Sequence, residues 1–155
     1  MMDEQAFISG YWAWYKAHIM FTNYMYTEDN SLGRGRDYFL SLSGMYLLLW
    51  GALLFAVCEY LKKFPQLPPE LREEIDKIYK PLRHYRNAVF HIKPVVYPKE
   101  VARFLNHPHY SNQATDLHYM IRDFFRRHKY RNLLLHEKFE DYHYMIGQIR
   151  DVKIP

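Results

Sequence analysis

Between Asp37 and Glu59 the chain carries no charged residue, and residues 44–58 are almost wholly apolar. A run of that length has two physical solutions. It can span a bilayer, or it can pass as a helix through the middle of a bundle with neighbours on most sides. Ser41, Ser43, Gly44 and Gly51 dilute the run, and the segments flanking it are amphipathic and able to cover it. The expectation is a central core helix and no membrane insertion, with residues 38–58 as the span to be checked.

The rest of the chain supplies the cover. Half of the 155 residues are apolar and 18% are aromatic, enough for a sizeable core and against general disorder. One domain over residues 1–155 is expected. With only six glycines, and apolar residues recurring at three- and four-residue steps, the pattern is helical. Five helical segments are expected: 3–26, 36–64, 69–91, 99–106 and 112–150, the last as one long helix or two abutting ones. Pro65, Pro68 and Pro69 close the second. Pro69 with Glu70, Glu73 and Glu74 suits the start of the third, where a kink at Pro81 is anticipated. No strand pattern is convincing. The fold class is therefore all-α, an antiparallel helical bundle of about five helices.

Against this background one phrase occurs twice. Residues 85–91 read YRNAVFH and residues 130–136 read YRNLLLH, each preceded by an Arg-His pair. Composition alone predicts R-N-x-x-x-H about 0.025 times in such a chain. Arginine to hold phosphate, an amide to orient it and histidine to move protons are what RNA cleavage requires. Asn87 and His91 are four apart and nearly share a helical face. The Arg86 backbone lies about 140° from that of His91 on a regular helix. A two-fold axis would solve this, each chain supplying what the other cannot reach. The first copy precedes a proline-rich break, where a helix end can open a groove. The second lies in a long periodic segment and reads as a core stripe with a surface arginine and a half-buried histidine, or as the other wall of a composite groove.

Arg86-Asn87-Ala88-Val89-Phe90-His91 resembles the R-x(4–6)-H motif of the HEPN superfamily, including the polar residue after the arginine. The order of helices around it, a hydrophobic helix followed by a charged one ending in the motif, is similar too. The resemblance implies a small, usually dimeric, HEPN-like helical bundle. It also implies a metal-independent endoribonuclease needing no cofactor, of the kind found in toxin–antitoxin, abortive-infection and other defence systems. It makes Arg86 the phosphate ligand, His91 the general base or acid and Asn87 the orienting group. Arg131, Asn132 and His136 are secondary candidates, and Glu59 resembles an acidic residue often near such sites. Arg83, His84, Lys93, Arg126 and Arg127 are candidate RNA contacts. Implied partners are RNA, a second copy of the chain, and an antitoxin or regulatory protein. Lys93 stands where one toxin subgroup has a tyrosine modified by its nucleotidyltransferase partner, which argues against that subgroup.

The competing expectation is a non-catalytic helical module that binds RNA or a protein through the same groove. In it Arg86 pairs with Glu73 or Asp76 on a neighbouring chain or turn, Asn87 bonds a backbone carbonyl and His91 closes the helix. The nine histidines form no recognised metal pattern such as H-E-x-x-H. Arg122, Arg126, Arg127, Lys129 and Arg131, with Phe124, Phe125 and Tyr130 interleaved, suit an RNA backbone or a solvated helix face. Net charge is +4, which permits an acidic partner without demanding one. The acidic start, Met1-Met2-Asp3-Glu4, does not read as a signal peptide. A lone cysteine, Cys58, is expected to be a buried thiol. A cytoplasmic protein fits these readings.

Overall fold

A computed structural model gives the structure of the chain and describes residues 4–28, 41–91 and 99–127. They form five helices and, among the described residues, no strand: α1 (Glu4–Thr27), α2 (Leu42–Leu61), α3 (Pro69–Phe90), α4 (Lys99–Asn106) and α5 (Tyr110–Arg127). The architecture is an all-α bundle. The chain divides into two compact units, Met1–Asp123 and Phe124–Pro155. Of the second, only the last turn of α5 is described.

The uncharged run becomes α2, and it is the central helix. Eleven of its twenty residues are buried, including Leu47, Trp50, Leu54, Val57 and Leu61. It is also the one helix among the described residues long and apolar enough to cross a membrane. Here α1 and α3 pack against it instead. The pairing is antiparallel on both sides. On the α1 side, the Tyr60 hydroxyl donates to the Ala6 carbonyl at 3.0 Å near one end, and Phe21 meets Trp50 further along. On the α3 side, Phe55 meets Tyr79, and the Tyr85 hydroxyl donates to the Leu47 carbonyl at 3.0 Å.

Local chemistry sets the helix ends. Ser41 caps α2, its hydroxyl accepting the Gly44 N–H at 3.1 Å. Just past the other end the Arg72 guanidinium donates to the Lys62 and Phe64 carbonyls, 3.4 and 2.9 Å away, tying the turn after α2 to α3. The helix ends at Leu61, before the prolines. Pro69 opens α3 with Glu70 in the first turn, and the helix continues through Pro81. The buried stripe Leu71, Ile75, Ile78, Leu82, Tyr85 and Ala88 faces inward at three- and four-residue steps.

At Gly51 α2 and α3 approach closely. A Cβ there would lie 2.6 Å from Tyr85 Cε1 and 2.9 Å from its Cζ. Tyr85 is 1% exposed and its hydroxyl is bonded, so the ring has little room to retreat. Helix propensity favours alanine over glycine by about 1 kcal/mol. Overpacking a rigid core contact costs about 1–3 kcal/mol. We therefore expect Gly51→Ala to lower stability in wild-type background, and to raise it or leave it unchanged beside Tyr85→Leu, as read by urea unfolding. A stabilising Gly51→Ala beside intact Tyr85 would contradict the packing argument.

Candidate functional site

The first copy of the doubled phrase forms the last two turns of α3. Tyr85 is the inward anchor, so Arg86 and Asn87, the next residues around the helix, turn away from the core and are half-buried. Arg86 Nη1 donates to Asn87 Oδ1 at 3.0 Å. The guanidinium also lies over the Phe90 ring, 5.8 Å from its centroid, and Phe90 is 51% exposed. Within one chain Arg86 pairs with neither Glu73 nor Asp76. Glu73 holds Lys77, and Asp76 holds Lys62. A guanidinium has five N–H donors, so the bond to Asn87 leaves others for an anion.

His91 is the residue that closes α3. Its backbone is extended (φ −84°, ψ 121°) and its N–H donates to the Asn87 carbonyl at 2.9 Å. Its side chain is exposed. Asn87 thus ties the trio together, its side chain to Arg86 and its main chain to His91. Among the described residues Arg86 bonds to Asn87 and not to His91. Glu59 is exposed on α2. It lies twelve residues along from Leu47, the residue facing Tyr85, which is roughly 18 Å of helix. One chain therefore does not bring Glu59 to Arg86. Arg83 and His84 are exposed on α3. Arg126 and Arg127 are exposed in the second unit. Lys93, Arg131, Asn132 and His136 lie outside the described residues.

A second cluster was not legible in the pattern of histidines. His118 on α5 is fully buried, between Trp14 and His18 of α1 and Trp50 of α2. Trp50 Nε1–H donates to His118 Nδ1 at 3.3 Å, and Trp14 Nε1–H donates to the His118 carbonyl at 3.3 Å. An Nδ1 that accepts cannot carry the proton, so the proton of neutral His118 sits on Nε2. Nε2 then donates to His18 Nδ1, 3.0 Å away. The rings of Trp14, His18 and His118 are stacked or tilted on one another at 4.8–5.6 Å. The sequence signal was present: His118 sits in the apolar register of Ala114, Leu117 and Ile121, all buried.

Two further groups bear on chemistry. Burial pushes the Cys58 thiol up to about 12, so it is an inert core thiol, as expected. Among the described residues no group of three or more His, Cys, Asp or Glu is placed to hold a metal. No family model matches the chain, and comparison with curated proteins and with solved structures returns no match.

Burial holds the His118 pKa down at about 3 from the usual 6.5, and repulsion from His18 when it is protonated, and from Arg122, adds to the effect. The unfolded chain takes up a proton at this position below pH 6.5, and the folded protein does not until about pH 3. The stability contributed by neutral His118 is thus complete above pH 6.5 and lost as pH falls from there toward 3. The slope is about 1.4 kcal/mol per pH unit at most. Tm should therefore fall more steeply between pH 7 and about pH 5 in wild type than in His118→Gln, which keeps an acceptor and a donor without titrating. Equal acid slopes would contradict the burial of a neutral histidine.

Proposed function

We propose that the chain is a metal-independent endoribonuclease of HEPN type, acting as a homodimer with Arg86, Asn87 and His91 as its active trio. The observation that carries the reading is the end of α3. An arginine with unused donors, the amide that holds it and an exposed histidine are linked through Asn87, while Tyr85 anchors their backbone in the core. The separation of Arg86 from His91 along the helix is the reason to invoke a second chain.

In that arrangement Arg86 binds the scissile phosphate and stabilises the charge that builds on it. His91 takes the proton from the 2′-hydroxyl as its oxygen bonds to phosphorus. The bond to the 5′-oxygen breaks, a solvent water gives that oxygen a proton, and His91 returns its own proton to solvent. The products are a 2′,3′-cyclic phosphate and a free 5′-hydroxyl, so no metal or cofactor enters the balance. The reading implies a cytoplasmic protein with RNA as partner. A toxin or antiviral-defence role, controlled by an antitoxin or regulator, belongs to the same proposal.

A second reading, a non-catalytic module for RNA or protein, draws on exposed Phe90 beside Arg86, a pairing of apolar and cationic groups that suits a contact surface. Incubation of the purified chain with mixed-sequence RNA in EDTA separates the two. We expect cleavage to cyclic-phosphate ends, reduced about 100-fold or more by His91→Ala and by Arg86→Ala. RNA left intact by the wild type would favour the module, and activity surviving His91→Ala would remove the proposed base.

A further inference from the structure

A pocket of about 220 Å³ opens where α1, α2 and α5 meet, and Leu105 of α4 also lines it. Phe21, Leu47 and Trp50 are buried and form its floor, while Met25 and Tyr119, 56% and 37% exposed, stand at its rim. Four aromatic rings contribute: Phe21, Tyr24, Trp50 and Tyr119. Phe21 lies 4.9 Å from Trp50 and 5.8 Å from Tyr119, at 47° and 87°. Rings so inclined offer faces and edges together, the surroundings in which a further ring packs well. An apolar cavity of roughly 150 Å³ holds benzene. This one is about half as large again, which gives room for two fused rings.

Its polarity is one-sided. Among the described residues no charged side chain lines it. Arg122 lies over the Tyr119 ring but bonds to Asp123 at 3.0 Å, and both are outside the lining. A charged ligand would lose its water there without gaining a counter-charge. The Trp50 N–H is spent on His118. The Tyr24 hydroxyl donates to Glu28 at 2.6 Å, and the Thr115 hydroxyl donates to the Ser111 carbonyl at 2.9 Å. A hydroxyl has one proton, so toward a ligand both can only accept. Ser111 and the exposed Asn112, also in the lining, can give or take. Small-molecule sites are mostly apolar, with a few placed polar groups that fix orientation. Here those groups call for a donor.

We propose that this pocket binds a small neutral aromatic molecule carrying one N–H or O–H donor, its ring against Phe21 and Trp50 and its donor on Thr115 Oγ1. The proposal goes beyond the cleavage reading and does not rest on it, because no residue of the Arg86 trio lines the pocket.

The test uses the full, isotope-labelled chain. Indole is the probe, and indene is its isostere without the donor. Nitrogen–proton correlation spectra follow the tryptophan side-chain N–H signals. Indole is expected to shift the Trp50 signal saturably, with a Kd of about 1 mM or tighter, and to leave that of exposed Trp12 in place. Indene is expected to bind about 5-fold more weakly or worse, for want of the hydrogen bond. Thr115→Val keeps the shape and removes the acceptor. It should bring indole down to the affinity of indene and leave indene unchanged. Ser111→Trp, checked for wild-type circular dichroism, fills the lining and should abolish binding of both. The proposal is overturned if indole leaves Trp50 in place or moves Trp12 equally, or if indene binds as tightly as indole. It is also overturned if Thr115→Val keeps the preference for indole, or if tetramethylammonium binds more tightly than indole, which would make the rings a cation cage.

Discussion

The contact of Tyr85 with Gly51 is the interaction on which the placement of the candidate site rests. The ring occupies space that any side chain at position 51 would fill, and its hydroxyl finds the Leu47 carbonyl one turn earlier on α2. Glycine in a helix interior has a conformational cost, and here the close helix approach offsets it. A bonded, fully packed tyrosine fixes both the rotation and the axial position of α3. Because Arg86 and Asn87 follow Tyr85 directly, fixing one side chain inward determines the direction of the next two. The same phrase that carries the candidate chemistry therefore carries its own structural anchor.

The opposite side of α2 is tied differently. There the core admits a polar residue, His118, and satisfies it with two tryptophan N–H groups and a second histidine. The donor sequence from Trp50 through His118 to His18 has one direction, because Trp50 can only donate. That direction fixes the tautomer of His118, which burial keeps neutral, and the bonds couple α1, α2 and α5 through one ring. Apolar burial alone would allow these helices to slide past one another. Directional bonds set their register.

Much of this fold was legible in the residues. The uncharged run became the central helix, Pro69 opened α3, the eight-residue α4 fell where its flanking prolines allowed, and Cys58 is buried. Proline, charge and periodicity act locally, so they can be read locally. The helix α2 ends at Leu61 and not at 64; the turn that follows is held by Arg72, a donor from the next helix that no local pattern records. His118 was missed for a similar reason: the partners that make a core histidine acceptable lie 68 to 104 residues away. For the candidate site, the angular separation of Arg86 from His91 followed from helical spacing. Its bond to Asn87 and the extended backbone at His91 required the structure. The pocket between α1, α2 and α5 was not legible, since its walls come from helices far apart in the chain.

The central claim is that the end of α3 becomes a ribonuclease site only when two chains supply its parts. Mixing inactive Arg86→Ala with inactive His91→Ala, under conditions of complete subunit exchange, tests it directly. Half of the dimers are then mixed, and each mixed dimer holds one complete Arg86–His91 pair across the axis. The account predicts recovery of RNA cleavage to about a quarter of the wild-type rate. A mixture as inactive as its parents, with wild type cleaving under the same conditions and exchange confirmed, would contradict it.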